Sequence, residues 1–151
     1  MAFGDKLPKW VDAGVKEYLK RLSGASIQFR LVELPGARRR KTGNVAKWLE
    51  EEAKTFIGKL LPQDYLVILD VAGASISTEK LAARLQLWQE NHSHIVILIG
   101  GSDGIDASIK ARANESISLS RMTFPHALVR VILVEQLYRA VSILASHPYH
   151  K

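Results

Sequence analysis

Cysteine is absent from this chain, which removes disulfides and thiolate metal sites together. That absence fits a reducing compartment. Long hydrophobic runs are absent as well: no stretch reaches the ~18 consecutive apolar residues that a membrane-spanning helix needs. The first residues lack the basic-then-apolar pattern of an export signal, so a cytoplasmic location is expected. Acidic residues are scarce relative to basic ones. Asp and Glu number 15 against 21 Lys and Arg, a formal charge of +6. The excess favours an anionic partner, with nucleic acid first. No internal repeat, low-complexity segment or interdomain linker breaks the chain. At 151 residues, 47% of them hydrophobic, residues 1–151 are expected to form one domain with a proper core.

What is present is an alternation of strand and helix patterns. Pro8 to Leu22 reads as a helix, with Trp10, Val11, Val15, Tyr18, Leu19 and Leu22 at helical spacing. Ile27, Phe29 and Leu31 alternate with polar residues and predict a strand. Val45 to Leu61 is an amphipathic helix with Val45, Trp48, Leu49, Ala53, Phe56, Ile57 and Leu60 turned inward. Tyr65 to Leu69 predicts a short buried strand ending at Asp70. Ser77 or Thr78 caps a helix from Glu79 to Asn91, with Leu81, Leu85 and Trp88 inward. Ile95 to Ile99 predicts another buried strand, Asp106 to Asn114 a short helix, and Ile117 with Leu119 a brief fifth strand. The last helix, Ala127 to Ser146, is apolar around much of its circumference and needs cover on more than one side, from its own sheet and from a second subunit. Strands alternating with helices predict an α/β fold with a parallel sheet.

Three segments carry chemistry. Gly100-Gly101-Ser102-Asp103-Gly104 follows a buried strand directly. Glycine brings bare backbone to the carboxyl edge of the sheet, where open α/β sheets bind ligands. The spacing is neither a Walker sequence nor the dinucleotide fingerprint, and a plain strand-to-helix turn capped by Asp106 accounts for it equally well. The second segment, Leu119-Ser120-Arg121-Met122-Thr123-Phe124-Pro125-His126, either wraps a planar ligand or packs Met122 and Phe124 into the core. The third is the tail His147-Pro148-Tyr149-His150-Lys151, rich in donors, acceptors and proton carriers. Its two histidines lack a third ligand, so no metal is expected. Arg38-Arg39-Arg40-Lys41, in a loop flanked by Pro and Gly, suits phosphate contacts, or is a solvated charge run. Glu135 and Arg139 fit an i,i+4 ion pair.

Taken together, these segments resemble the small H-type pseudouridine methyltransferases of the ribosomal large subunit, within the SPOUT superfamily. The resemblance runs along nearly the whole chain. It rests on Asp5-Lys6-Leu7-Pro8 with Trp10; Leu69-Asp70; Leu98 to Gly104; Leu119 to His126; Val129-Arg130-Val131; Glu135 to Ala140; and Pro148-Tyr149-His150. It implies a single SPOUT-like domain with a C-terminal trefoil knot, and a homodimer. It implies S-adenosylmethionine as methyl donor, bound by Leu69, Gly100, Leu119, Ser120, Arg121, Met122, Thr123 and Phe124. The implied substrate is N3 of a pseudouridine in 23S rRNA of the assembled ribosome. On that basis His150 is the first candidate base. Tyr149 and Lys151 hold the target base and its phosphate, and Arg139 contacts substrate or orders the tail. Arg38, Arg39, Arg40 and Lys41 meet RNA phosphates, and the tail of one subunit completes the site of the other. Only Met1-Ala2-Phe3 precede Gly4, so the first strand is expected to be shortened. A non-enzymatic RNA- or ribosome-binding factor is the alternative, and a nucleotide-binding oxidoreductase a weaker third.

Overall fold

The computed structural model describes residues 1–4, 7–25, 27–39 and 43–149. In chain order the elements are β1 (Ala2–Phe3), α1 (Lys9–Leu22), β2 (Glu33–Leu34), α2 (Val45–Ile57), β3 (Tyr65–Ser75), α3 (Thr78–Asn91), β4 (Ile95–Ile99), α4 (Ala107–Lys110), β5 (Glu115–Ser118) and α5 (His126–Leu144). The five strands form one sheet in the order β2-β1-β4-β3-β5, and each pairing is parallel. A helix between successive strands returns the chain to the same edge, which is what parallel pairing demands. Every strand therefore finishes on the same side.

Strand alternation sorts the core into two layers. Val67, Ile99 and Ile117 face α3 and α5 with Leu81, Leu85, Trp88, Leu133 and Leu137. Leu66, Ile68, Val96 and Leu98 face the other way, against Ala53 and Phe56 of α2 and Ile109 of α4. Caps fix where helices begin. Asn44 Oδ1 accepts from Ala46 N at 2.8 Å and Ser77 Oγ from Lys80 N at 3.3 Å. The apolar girth of α5 is met largely within the chain: Val134 packs with Val11 and Val15 of α1 on one flank, and Leu133 and Leu137 pack with α3 on the other. Among the described residues no helix is long and apolar enough to cross a membrane.

Several expectations shift. Residues 27–31 are not a strand; β2 is Glu33–Leu34 alone. β1 has two residues; on its β2 side it pairs with Glu33 and Leu34, and on the other side with Ile99 of β4. Ile27, Phe29 and Leu31 still turn to the core, so the alternation is real although the ladder is missing. β3 does not stop at Asp70 but runs to Ser75. Trp10 and Val45, read as core, are 61% and 45% exposed, because each sits in the first turn of its helix beyond the packed layers. α2 ends at Ile57, with Gly58 as its C-cap, and β5 ends at Ser118, leaving Leu119 in the following loop.

Candidate active site

One rung joins three strands where β4 ends, one residue before the end of β5 and at the point where β3 leaves the ladder. Leu69 pairs with Ile99 of β4 on one side and with Ile117 of β5 on the other. Gly100 is the next residue after Ile99, and Leu119 comes two after Ile117. With strands spaced ~4.8 Å apart, the ends of β4 and β5 lie about 10 Å from each other across β3, a span that a nucleoside covers.

The glycine turn is tightly built. Gly104 N donates to Gly101 O at 3.2 Å, closing a four-residue turn, and Gly104 has φ +95°. A Cβ on Gly100 would stand 2.7 Å from Ile105 Cγ1 and 2.8 Å from Gly104 O, so only glycine fits there. Asp106 Oδ1 accepts from Ser108 N at 2.8 Å and caps α4, as the plain-turn reading expects. Lys110 of α4 reaches back to Asp70 Oδ2 at 2.5 Å, and this ammonium holds the Asp70 carboxyl below the usual range. The point at which β3 leaves the ladder is thereby tied to α4, the helix that follows the glycine turn.

After β5 the loop is shaped by its own serines. The buried Ser118 Oγ donates to Ser120 O at 2.8 Å, and Ser120 Oγ accepts from Met122 N at 2.9 Å. Leu119, Ser120 and Phe124 line a hollow of about 570 Å³, closed on its far side by Ile76, Thr78 and Gln136. That volume suits a small ligand. Arg121 and Thr123 are exposed, and Met122 is 69% exposed, which rules out the core-packing reading for this methionine. Leu69 and Gly100 do not line the hollow; Leu69 lies within β3 and Gly100 directly follows β4.

Between the two loops β3 makes an unusual detour. Leu69 and Ala74 both pair with Ile117, so residues 70–73 leave the ladder and rejoin it at the same rung. Gly73 lies so close to β5 that a Cβ there would meet Ile117 backbone at 2.7 Å.

The tail folds back along α5. Tyr149 packs edge-on against Tyr138, with ring centroids 4.6 Å apart, and the Arg139 guanidinium lies 4.9 Å from its ring centroid. Arg139 is the i,i+4 partner of Glu135 at 2.7 Å, and Tyr149 Oη is 3.5 Å from the same carboxylate oxygen. Hydrogen bonding with Tyr18, then burial, pushes the Tyr149 phenol up to about 12. At neutral pH it is a donor, not a base. His150 and Lys151 lie outside the described residues, as do Arg40 and Lys41 of the basic loop. Arg38 is exposed, whereas Arg39 is bound to Asp103 and Glu52. Among the described residues no group of three or more His, Asp or Glu side chains is placed to hold a metal ion.

Two buried charges had drawn no structural role from the sequence. Arg130, 1% exposed, donates to Phe3 O at 2.6 Å, to Gly4 O at 2.9 Å and to Glu33 Oε1 at 2.8 Å, fastening the ends of β1 and β2 to α5. Glu52 is 3% exposed under the glycine turn. The available signal was the same for both: a lone charge on an otherwise apolar helix face.

Residues 1–150 match the family model described as "Predicted SPOUT methyltransferase". A protein of Francisella tularensis subsp. novicida named ribosomal RNA large subunit methyltransferase H is 60% identical over 151 residues, covering 100% of this chain and 97% of the relative. Proteins of the same name from Dichelobacter nodosus and Ectopseudomonas mendocina are 44% and 40% identical over all 151 residues, covering 96% and 97% of their own lengths. A five-stranded parallel sheet with its loops gathered at one edge and a match along nearly the entire sequence lead to one statement: the chain belongs to the SPOUT methyltransferase family.

Proposed function

We propose that this protein transfers a methyl group from S-adenosylmethionine to N3 of a pseudouridine in 23S rRNA of the assembled ribosome. The observation that carries the reading is the shared rung: Ile99, Leu69 and Ile117 lie side by side, with Gly100 directly after Ile99 and the 119–124 loop beginning after Ser118. The names of the relatives support the rRNA substrate.

The residues present fit the donor. Gly100 is held tightly by Ile105 and Gly104 within its turn, which leaves its main chain without a side chain at the end of β4, and a hollow across β3 is lined by Leu119, Ser120 and Phe124. Main-chain groups of the glycine turn and of the 119–124 loop would hold the donor, with Leu69 and Phe124 as apolar walls. When bound, its sulfonium supplies an electrophilic methyl group, so the protein's work is alignment and proton removal. Positioning of this kind contributes several kcal/mol, up to about 7–11 in favourable cases. Arg121, Met122 and Thr123 face outward, where they would close over the donor.

A ring nitrogen must lose a proton to attack, and His150 is assigned as its acceptor. Tyr149, kept neutral, would donate a hydrogen bond to the target base, while Lys151, Arg38, Arg40 and Lys41 contact phosphate. Arg139 orders the tail through Glu135 and the Tyr149 ring. In its own chain Tyr149 rests on Tyr138, midway along α5. The homodimer, in which the tail serves the partner's site, the trefoil knot and a cytoplasmic location belong to the same proposal.

Calorimetry with S-adenosylmethionine, followed by mass spectrometry of rRNA after incubation of the protein with ribosomes, tests the reading. Binding and one added methyl on a pseudouridine of the large subunit are expected. A protein that binds rRNA but not the donor would instead be a non-enzymatic factor. Deletion of residues 147–151 should abolish transfer and largely spare donor binding; full activity after the deletion refutes the role of the tail.

A further inference from the structure

Glu52 is a carboxylate for which the proposed chemistry has no use. It lies on α2 one turn before Phe56, on the face that packs against the sheet, and is 3% exposed. A carboxylate so buried is costly unless it is paired and hydrogen-bonded. Its Oε1 accepts from Ala37 N at 3.0 Å and from Arg39 Nη2 at 3.3 Å. Its Oε2 lies 2.9 Å from the point where a Cβ on Gly101 would stand. Arg39 then extends the chain of contacts: its Nε donates to Asp103 Oδ2 at 2.7 Å. Asp103 is inside the four-residue turn closed by Gly104 N and Gly101 O.

One buried carboxylate and one guanidinium thus join three pieces of backbone: the basic loop after β2, helix α2, and the glycine turn after β4. The guanidinium fork is suited to this, because its separate N–H groups reach two carboxylates at once. Arg38, next in sequence, is exposed and has no ion pair among the described residues. The two arginines therefore differ in kind.

We infer that Glu52 and Arg39 are positioning residues that set the shape of the glycine turn from the basic loop, so that Arg39 is a latch and not a phosphate contact. The inference rests on reading Gly100–Gly104 as part of the donor site. A side chain at Gly101 would displace the Glu52 carboxylate, whose Oε2 stands 2.9 Å from the position of its Cβ. Moving the basic loop moves Arg39, and Arg39 moves Asp103 with the turn. Donor affinity and the placement of the basic loop are then thermodynamically linked, each altering the other by the same factor.

The test compares Arg39→Ala, Asp103→Asn and Arg38→Ala in the full chain. Two measurements are made: calorimetry with S-adenosylmethionine alone, and binding to large-subunit rRNA across a salt series. Arg39→Ala and Asp103→Asn should each weaken donor binding by roughly tenfold, within the range of couplings through a shared network. Neither should change the slope of log K against log salt. Arg38→Ala should flatten that slope by about one phosphate contact. Arg39→Lys, which reaches one carboxylate but lacks the fork, should recover part of the donor affinity. Asp103 is exposed, so Asp103→Asn keeps the test alive should Arg39→Ala fail to fold. Unchanged donor affinity in Asp103→Asn, or an Arg39→Ala slope reduced as much as that of Arg38→Ala, overturns the inference. Absence of donor binding by the unaltered protein overturns the donor reading itself, and the latch with it.

Discussion

Replacing Arg130 by methionine isolates what a single buried charge does for this fold. Methionine fills much of the same volume and keeps the packing beneath α5. It removes three charge-assisted hydrogen bonds, to Phe3 O at 2.6 Å, Gly4 O at 2.9 Å and Glu33 Oε1 at 2.8 Å. Truncating one partner of a buried pair costs about 3–5 kcal/mol. The Glu33 side chain is 43% exposed and rehydrates, so the cost does not exceed that range. The substitution also removes Arg130 Nε, which is buried with no partner among the described residues and so offsets about 1 kcal/mol. A net loss of roughly 2–4 kcal/mol remains. For a domain of this size that lowers Tm by about 4–16 °C. Urea unfolding should show a lower midpoint at constant m-value. Glu33→Gln keeps an acceptor on a half-exposed side chain and should cost less than about 1 kcal/mol. A loss below about 1 kcal/mol for Arg130→Met, with a wild-type m-value, would refute the view that this guanidinium holds the strand ends in place.

Three further outcomes follow from the geometry. Gly100→Ala puts a Cβ 2.8 Å from Gly104 O, a backbone atom that cannot swing aside; donor binding should fall at least about tenfold with a stability loss of about 1–3 kcal/mol. Gly24→Ala, with nothing within 4 Å of the new Cβ, is the control, and equal behaviour of the two variants would contradict the tight packing of the glycine turn. Tyr149 should ionise near 12 in an ultraviolet difference titration read against Tyr149→Phe. A phenol whose folded value is raised stabilises the docked tail fully below its ordinary value of about 10, and that contribution fades as pH climbs to 12; ionisation near the ordinary value would deny the docked position. Asp70, held low by the ammonium of Lys110, contributes stability above about pH 4 that is lost as pH falls through its folded value. The stability gap between wild type and Asp70→Asn should close on acidification, and a gap that persists in acid counts against the Lys110 clamp.

The sequence carried the layered α/β plan because β4 and the first half of β3 are buried on both faces, and such strands read as continuous apolar runs. Residues 27–31 show the limit of periodicity. Alternation reports which way side chains point, and Ile27, Phe29 and Leu31 do point inward. It says nothing about whether a neighbour is there to complete a ladder. The end of β3 was misplaced because a charged Asp70 looks like an exit from the core. In the fold its carboxylate turns to Lys110, and the strand resumes at Ala74. The glycine turn and the 119–124 loop were legible because each follows a buried strand directly. Their meeting on one rung was not, since it depends on β3 lying between β4 and β5. The partners of Glu52 and Arg130 were not legible for a related reason: they are 13 and 97 residues away, beyond any helical or strand period.

The detour at residues 70–73 has an evolutionary consequence. Because the chain departs and returns opposite the same Ile117, its length can change there without shifting the register on either side. Insertions or deletions between Asp70 and Gly73 would reshape the sheet edge between the two loops while leaving the strand pairings on either side in register. Relatives acting on different nucleotides should therefore vary first in this short excursion.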